Sequence, residues 1–188
     1  GYGIEVDVQP TADGQALVFH DEDAGRLTGA PGPVAARTAA EMARLPLLGG
    51  DGAGAPTLPQ VLAEVAGRVP LLIEVKDQTG TMGETDGALE AAVAAALAGY
   101  RGPVAAMSFN PHAVATLARL LPGIPRGLTT SAYDPRDWAP LPPATCDRLR
   151  AIPDYDRVGA SFISHEGRDL ARRRVAELKR QGAVVLCW

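Results

Sequence analysis

The sequence predicts one folded α/β domain, built on a parallel sheet and without a transmembrane helix, and one observation supports each part of this prediction. Apolar segments of strand length alternate along the chain with longer helical segments, which is typical of repeated βαβ units. The 188 residues are 46% hydrophobic and 21% charged, which are ordinary values for one folded domain. No apolar run reaches the roughly 18 residues of a membrane-spanning helix, so no transmembrane segment is expected.

The predicted elements follow one another in a regular order. Strands are predicted for the apolar runs Gly3–Val8, Leu71–Lys76, Val104–Phe109, Arg126–Thr129, Gly159–Ile163 and Ala183–Trp188. Helices are predicted for the segments Leu58–Ala66, Ala88–Ala98, Pro111–Leu121, Ala144–Ile152 and Arg168–Gln181. Start and stop signals support several of these helices, because Asn110 precedes Pro111 as an N-cap and Gly182 follows the last helix.

One segment breaks this alternation. Residues 10–56 contain a turn at Asp13–Gly14, a short extended run over Ala16–Asp21, and then sequence rich in glycine and proline. Long irregular insertions in a compact domain are usually functional. The expected organisation is therefore a single domain over residues 1–188 with an inserted subdomain at residues 10–56.

The composition limits the class of partner. The formal net charge is −4 and the sequence has no long basic stripe, which argues against a nucleic-acid partner. The short cluster Arg172–Arg174 is interpreted as a solvated helix face. Cys146 and Cys187 form neither a CxxC pair nor a zinc-type spacing, so both are expected to be unpaired thiols, with Cys187 buried in a strand.

Two predicted strands carry charged residues where a covered strand is normally apolar. Alternation places Glu5 and Asp7 on one face of the first strand, and Glu74 and Lys76 on one face of the second. Burying unpaired carboxylates is costly, and three acids that converge with one lysine offset this cost by holding a cation. An all-oxygen donor set favours Mg²⁺ or Ca²⁺. The alternative is that each strand is half-exposed and keeps its polar face in water.

An ordered series of short motifs resembles the glycerophosphodiester phosphodiesterases. Each motif is weak alone, but their order and spacing are specific, and the resemblance covers nearly the whole chain. The motifs are Ile-Glu-Val-Asp-Val-Gln from Ile4, Thr-Ala-Asp-Gly from Thr11, Val-Phe-His-Asp-Glu from Val18, Arg-Leu-Thr-Gly from Arg26, Pro-Thr-Leu from Pro56, Ile-Glu-Val-Lys from Ile73, Met-Ser-Phe from Met107, Pro-Arg-Gly from Pro125 and Cys187-Trp188.

The resemblance implies a TIM (β/α)8-type barrel with a small insertion after the second barrel strand and a divalent metal at the carboxyl ends of the strands. Gly3–Val8 is then the second strand and Ala183–Trp188 the seventh, so the first and last βα units are missing from these residues. The family's His-Arg-Gly motif, which supplies one of two catalytic histidines, and its Glu-Asn-Thr motif are absent from the sequence. We therefore expect the chain to be a piece of a longer protein.

The resemblance also assigns roles to single residues. Glu5, Asp7 and Glu74 match the family's metal ligands, and His20 matches the second catalytic histidine, which gives or takes a proton. The alternative for His20 is a loop histidine without a role.

Three further residues are candidates for binding the substrate. Lys76 is expected to contact the phosphate as a point charge, although a salt bridge that satisfies a buried acid is a compatible alternative. Phe109 and Trp188 are expected to line the pocket for the glycerol or the alcohol. The alternative for Phe109 is ordinary packing in the core. His165, at a strand end, is a weaker candidate.

The implied function is the metal-dependent hydrolysis of a glycerophosphodiester to glycerol 3-phosphate and an alcohol. The attacking group is either the substrate's own glycerol hydroxyl or a water molecule. Two alternatives stay open: a phospholipase-D-like activity on lysolipids, and a non-catalytic relict barrel that serves as a binding module. The expected partner is a small molecule, the oligomeric state is undetermined, and the cytoplasm is the expected compartment.

Overall fold

A computed structural model describes all residues 1–188 and contains one seven-stranded sheet. The strand order is β2-β1-β3-β4-β5-β6-β7, and no ladder joins β1 to β7, so the sheet stays open. Only β2 runs antiparallel, beside β1, while all other neighbours are parallel. The strands are Ile4–Pro10 (β1), Ala16–Val18 (β2), Leu71–Val75 (β3), Val104–Ser108 (β4), Arg126–Thr130 (β5), Phe162–His165 (β6) and Val184–Cys187 (β7).

Helices connect the parallel strands, as the predicted α/β class requires. They are Gly25–Thr28 (α1), Ala39–Met42 (α2), Leu58–Val65 (α3), Ala88–Leu97 (α4), Pro111–Leu120 (α5), Pro143–Arg150 (α6) and Arg173–Arg180 (α7). Helix α3 begins with a capping box between Thr57 and Gln60, and the Asn110 side chain caps α5 by accepting from the His112 amide. None of the helices has the length and apolar character needed to cross a bilayer.

The alternation of side chains gives the sheet an apolar outer face and a mixed inner face. In β3, Leu71, Ile73 and Val75 lie in the largest apolar cluster of the core, which also contains residues of α3 and α4. Leu72 and Glu74 point the other way, into a cavity on the inner face. Burial of each large apolar side chain in this outer layer stabilises the fold by about 1.5–3 kcal/mol. The helices thus hold the strands in place and leave the inner face for other groups.

The segment between β1 and α3 has an apolar cluster of its own. Strand β2 folds back on β1 with Val18 opposite Val8, and the cluster then includes Leu17, Phe19 and Met42. Because β2 ends at Val18 beside the carboxyl end of β1, the next residues of the chain lie at the carboxyl ends of the parallel strands.

Several details differ from the sequence prediction. The sheet has a seventh strand, β2, and Cys187 is exposed rather than buried. The sixth strand begins at Phe162 instead of Gly159, and the last helix begins at Arg173 instead of Arg168. The helix starts late because Gly167–Asp169 forms a separate 3₁₀ turn, in which the Asp169 carboxylate is bonded to His165 and Arg172.

Glu90 is a buried acid on the helical layer, in α4. It has no exposed surface, its Oε1 accepts a hydrogen bond from Thr85 at 2.9 Å, and its Oε2 has no partner. Burial raises the pKa of Glu90, and the nearby Asp86 and Asp77 carboxylates act in the same direction. The folded state therefore keeps a proton on Glu90 at pH values where the unfolded chain has already released it.

We expect Glu90→Gln to stabilise the protein near about pH 8 and to have little effect near about pH 4. A raised folded-state pKa makes wild-type stability fall as the pH rises above the unfolded value of about 4.3, whereas glutamine does not ionise. A gain of about 1 kcal/mol raises the Tm by roughly 2–4 °C in a chain of this size. Glu64→Gln, at a side chain that is 86% exposed, is the control. Equal Tm differences at both pH values would contradict this account.

Candidate active site

A cavity of about 570 Å³ opens at the carboxyl ends of the parallel strands. Charged side chains of β1 and β3 line one part of it, and apolar or aromatic side chains of β4 and β7 line another. It brings together seven of the site residues that the sequence predicts, and only the weaker candidate His165 is missing. The seven are Glu5, Asp7, His20, Glu74, Lys76, Phe109 and Trp188. A second cavity, of about 370 Å³, is lined by residues such as Pro70, Val104 and Phe162 and contains no ionisable side chain, so it offers no acid–base or metal chemistry.

Three carboxylates meet on the inner face of β1 and β3. Asp7 lies directly opposite Glu74 in the parallel ladder, and Glu5 lies two residues earlier on the same face of β1. Each residue offers an oxygen, and these oxygens lie within 4.8 Å of one another. Partial desolvation of its carboxylate, together with the charges of Asp7 and Glu74, raises the pKa of Glu5 to about 7, although the residue as a whole is exposed. The cluster is therefore short of positive charge, and a divalent cation would stabilise its ionised form.

Lys76 supplies the positive charge nearest to this cluster. Its Nζ lies 2.7 Å from Asp7 Oδ1 and 2.7 Å from Glu74 Oε1. Burial of the ammonium group opposes its charge, but Glu74 and Asp7 outweigh this effect and raise the pKa of Lys76. The salt-bridge alternative for Lys76 is thus present in the structure, and contact with a phosphate stays a prediction.

Thr129 is a polar contact of Glu74 that the sequence analysis does not identify. Its hydroxyl donates a hydrogen bond to Glu74 Oε2 at 3.1 Å from strand β5, so Glu74 is held from both sides of the cavity. Glu74 is only 4% exposed, so its position depends on its two polar partners, Lys76 and Thr129.

His20 lies just beyond β2, at the rim of the cavity. The Phe19 amide donates to the Asp7 carbonyl, and the Gln9 side chain donates to the His20 carbonyl, so the backbone here is fixed to β1. The His20 Nδ1 lies 2.7 Å from Asp21 Oδ1, and Asp21 also binds Arg26 through both oxygens. Arg26 holds the pKa of Asp21 at about 2, so this carboxylate stays ionised at any working pH. The side chain of His20 is 62% exposed, and its Nε2 makes no hydrogen bond to the protein.

Aromatic side chains form a wall across the cavity from the carboxylates. The Phe109 and Trp188 rings meet edge to face at 5.6 Å, and the Trp188 indole donates to the Thr130 carbonyl at 3.2 Å. Behind Phe109 lie Tyr133 and Trp138, with ring centroids 6.4 Å and 5.0 Å from that of Phe109. Tyr133 and Trp138 are not among the residues predicted from the sequence, although aromatic residues are only 5% of the chain and a local concentration of them is a usable signal.

His165 lies outside the cavity. It is fully buried, with Nδ1 2.8 Å from the Thr130 hydroxyl and Nε2 3.2 Å from the Asp169 carboxylate. Both ring nitrogens therefore have hydrogen-bond partners within the fold, so His165 is explained as a residue that stabilises the structure.

The location of the charged groups defines a class of protein. Barrel-type α/β enzymes carry their catalytic groups at the carboxyl ends of the parallel strands, and Glu5, Asp7, Glu74 and Lys76 converge there. A carboxylate cluster of this kind suits an enzyme that uses a hard cation on an anionic substrate.

Comparison with protein families gives the particular family within this class. The chain belongs to the Glycerophosphoryl diester phosphodiesterase family, whose pattern matches residues 2–188. This confirms the resemblance found in the sequence, and with it the prediction that the chain is an enzyme of the phosphodiesterase type. A search of curated proteins found no match.

Solved structures of this family share the fold. A putative glycerophosphoryl diester phosphodiesterase from Agrobacterium tumefaciens superposes with a TM-score of 0.78 at 23% identity, covering 99% of this chain and 72% of the other. A phosphodiesterase from Oleispira antarctica, in complex with the product sn-glycerol-3-phosphate, gives 0.76 at 22% identity with the same coverage. A putative family member from Silicibacter pomeroyi gives 0.75 at 25% identity, covering 98% and 71%. The predicted TIM-type barrel is thereby confirmed.

Proposed function

We propose that this chain hydrolyses glycerophosphodiesters to glycerol 3-phosphate and an alcohol with the help of a divalent cation. The observation that carries the proposal is the convergence of Glu5, Asp7 and Glu74 within 4.8 Å at the mouth of a barrel of this family. The presence of sn-glycerol-3-phosphate in the Oleispira antarctica structure supports the same product for this chain.

The donor set fits a hard cation. All three ligands offer carboxylate oxygens, which Mg²⁺ and Ca²⁺ prefer, and no thiolate or imidazole belongs to the cluster. The raised pKa of Glu5 is the second sign of fit, because it reflects partial burial of the carboxylate and, in addition, the negative charges of Asp7 and Glu74, which a dication would balance. A bound cation supplies Lewis-acid polarisation of the phosphoryl oxygens.

The remaining residues supply binding and proton transfer. Lys76 offers an ammonium group to the phosphate. The aromatic wall of Phe109 and Trp188 excludes water from one side of the alcohol group. Hydrolysis forms a bond between phosphorus and the oxygen of a water molecule and breaks the bond between phosphorus and the leaving oxygen. Overall, one proton of that water ends on the leaving oxygen. His20 delivers it from Nε2, while Asp21 holds Nδ1 and thereby orients the ring.

A lysolipid is the second candidate substrate. Leu186 and Trp188 line the cavity and are 37% and 54% exposed, so an apolar surface lies beside the charged cluster. An acyl chain would bury this surface, whereas a small alcohol would leave it in water.

We expect the purified complete protein to release glycerol 3-phosphate from a panel of glycerophosphodiesters when Mg²⁺ or Ca²⁺ is present, and to stop when the metal is chelated. A coupled assay with glycerol-3-phosphate dehydrogenase measures the product directly. A higher kcat/KM for lysophosphatidylcholine than for glycerophosphocholine, read as released choline, would favour the lysolipid. Metal binding without turnover of any substrate would instead favour the relict binding module.

A further inference from the structure

Lys76 forms ion pairs with two of the three carboxylates in the acidic cluster. Its Nζ lies 2.7 Å from Asp7 Oδ1 and 2.7 Å from Glu74 Oε1, the distance of a charge-assisted hydrogen bond. The lysine side chain is 18% exposed, so these ion pairs are largely shielded from water. The only other lysine of the chain, Lys179, is exposed in the last turn of α7.

A divalent cation needs the oxygens that Lys76 holds. The second oxygen of Glu74 accepts from Thr129, which leaves only Asp7 Oδ2 and the two oxygens of Glu5 without a hydrogen-bond partner. A hard cation seeks several anionic oxygens at once. In addition, an ammonium group and a dication that share one carboxylate repel each other across a short distance. The two cations therefore compete for the same ligands.

We propose that Lys76 is an exchangeable internal cation, which neutralises Asp7 and Glu74 before metal binds and is then displaced by the metal to bind the phosphate of the substrate. The inference rests on the proposed function, because it takes the acidic cluster as the metal site. It makes metal binding a precondition for phosphate binding, since one ammonium group serves both purposes. The expected order is metal first and substrate second.

The burial of Glu74 explains why the fold needs this internal cation. Glu74 is only 4% exposed, and a buried carboxylate without a cationic partner is strongly destabilising. The flexible four-carbon stem of lysine suits an exchange of partners better than the planar, forked guanidinium of arginine. The lysine thus keeps the site folded until the metal takes over the same role.

Metal affinity measures the competition directly. In calorimetric titrations of the chelator-treated chain with MgCl₂ and CaCl₂, we expect Lys76→Met to bind metal at least about tenfold more tightly than wild type, because the competing charge is gone. Lys76→Arg keeps that charge and is expected to bind no more tightly than wild type. Lys179→Met makes the same charge change at an exposed and remote position, so its affinity should stay within about twofold of wild type.

The wild-type chain provides a second readout that needs no variant at Lys76. After labelling with [ε-¹³C, ζ-¹⁵N]lysine, only two side-chain signals are expected, and Lys179→Arg assigns them. Mg²⁺ should shift the Lys76 signal and leave that of Lys179 in place. Adding sn-glycerol 3-phosphate should shift the Lys76 signal further when Mg²⁺ is present, but not in chelator.

The possible results separate the inference from the proposed function. If metal binds wild type and Lys76→Met equally well and the Lys76 signal does not move, the exchange is overturned while the metal site stands. If neither Mg²⁺ nor Ca²⁺ binds any of these proteins, the metal assignment itself fails and the exchange fails with it. If Lys76→Met does not fold, the titration of labelled wild type decides alone.

Discussion

Glu74→Ala is expected to remove metal binding and hydrolysis together. Glu74 is the most buried of the three acids and is the only one held from two sides, by Lys76 and by Thr129. Its loss removes one ligand and leaves Lys76 with Asp7 as its only carboxylate partner, which strengthens the competing ion pair. The metal affinity should fall by more than about 100-fold, beyond the loss typical of groups that only orient a ligand.

Calorimetry with MgCl₂ and the coupled assay for glycerol 3-phosphate measure the two effects on the same protein. Glu74→Gln keeps the shape of the side chain and the bond from Thr129, so it separates a loss of charge from a loss of packing. Glu84→Gln, at an exposed acid after the same strand, is the matched control and should resemble wild type. Normal metal affinity in folded Glu74→Ala would remove Glu74 from the ligand set.

In the complete protein, His20→Ala is expected to lower turnover by about 10²–10⁴, which is the usual contribution of a positioned acid or base, while metal affinity stays nearly unchanged. The two effects separate because His20 lines the cavity but does not belong to the carboxylate cluster. His112→Ala is the matched control, because His112 lies in the first turn of α5 and does not line the cavity.

The leaving group distinguishes the roles open to His20. A nitrophenyl phosphodiester needs little protonation of its leaving oxygen, so His20→Ala should be far less damaging on this substrate than on glycerophosphocholine. Equal losses on both substrates would indicate that His20 acts as a base or holds the phosphate. Full activity on both would remove it from the mechanism.

The faces of the charged strands are predictable from the sequence, but the register between the strands is not. Period-two alternation places Glu5 and Asp7 together, and it separates Glu74 from the apolar Ile73 and Val75. Which residue of β1 lies opposite Glu74 depends on how β1 and β3 pair, and these strands are separated by a long segment of chain. The observed pairing of Asp7 with Glu74 therefore had to come from the structure.

The contacts of the site depend on curvature of the sheet, which leaves no local mark in the sequence. Thr129 is 55 residues from Glu74 and reaches it because β5 lies across the inner face from β3. Tyr133 and Trp138 lie in an irregular segment after β5, where no periodicity predicts a direction for their side chains. The same holds for β2, whose three residues are too short to be distinguished from a loop.

Crystals grown or soaked with Mn²⁺ and sn-glycerol 3-phosphate give the most direct test of the central claim, that Glu5, Asp7 and Glu74 hold a divalent cation at the site of hydrolysis. Mn²⁺ accepts the oxygen ligands preferred by Mg²⁺ and is identified by its anomalous scattering. We expect one anomalous peak within about 2.6 Å of an oxygen from each of the three carboxylates, beside the phosphate. No peak at this position, or a peak that leaves out any of the three, would contradict it.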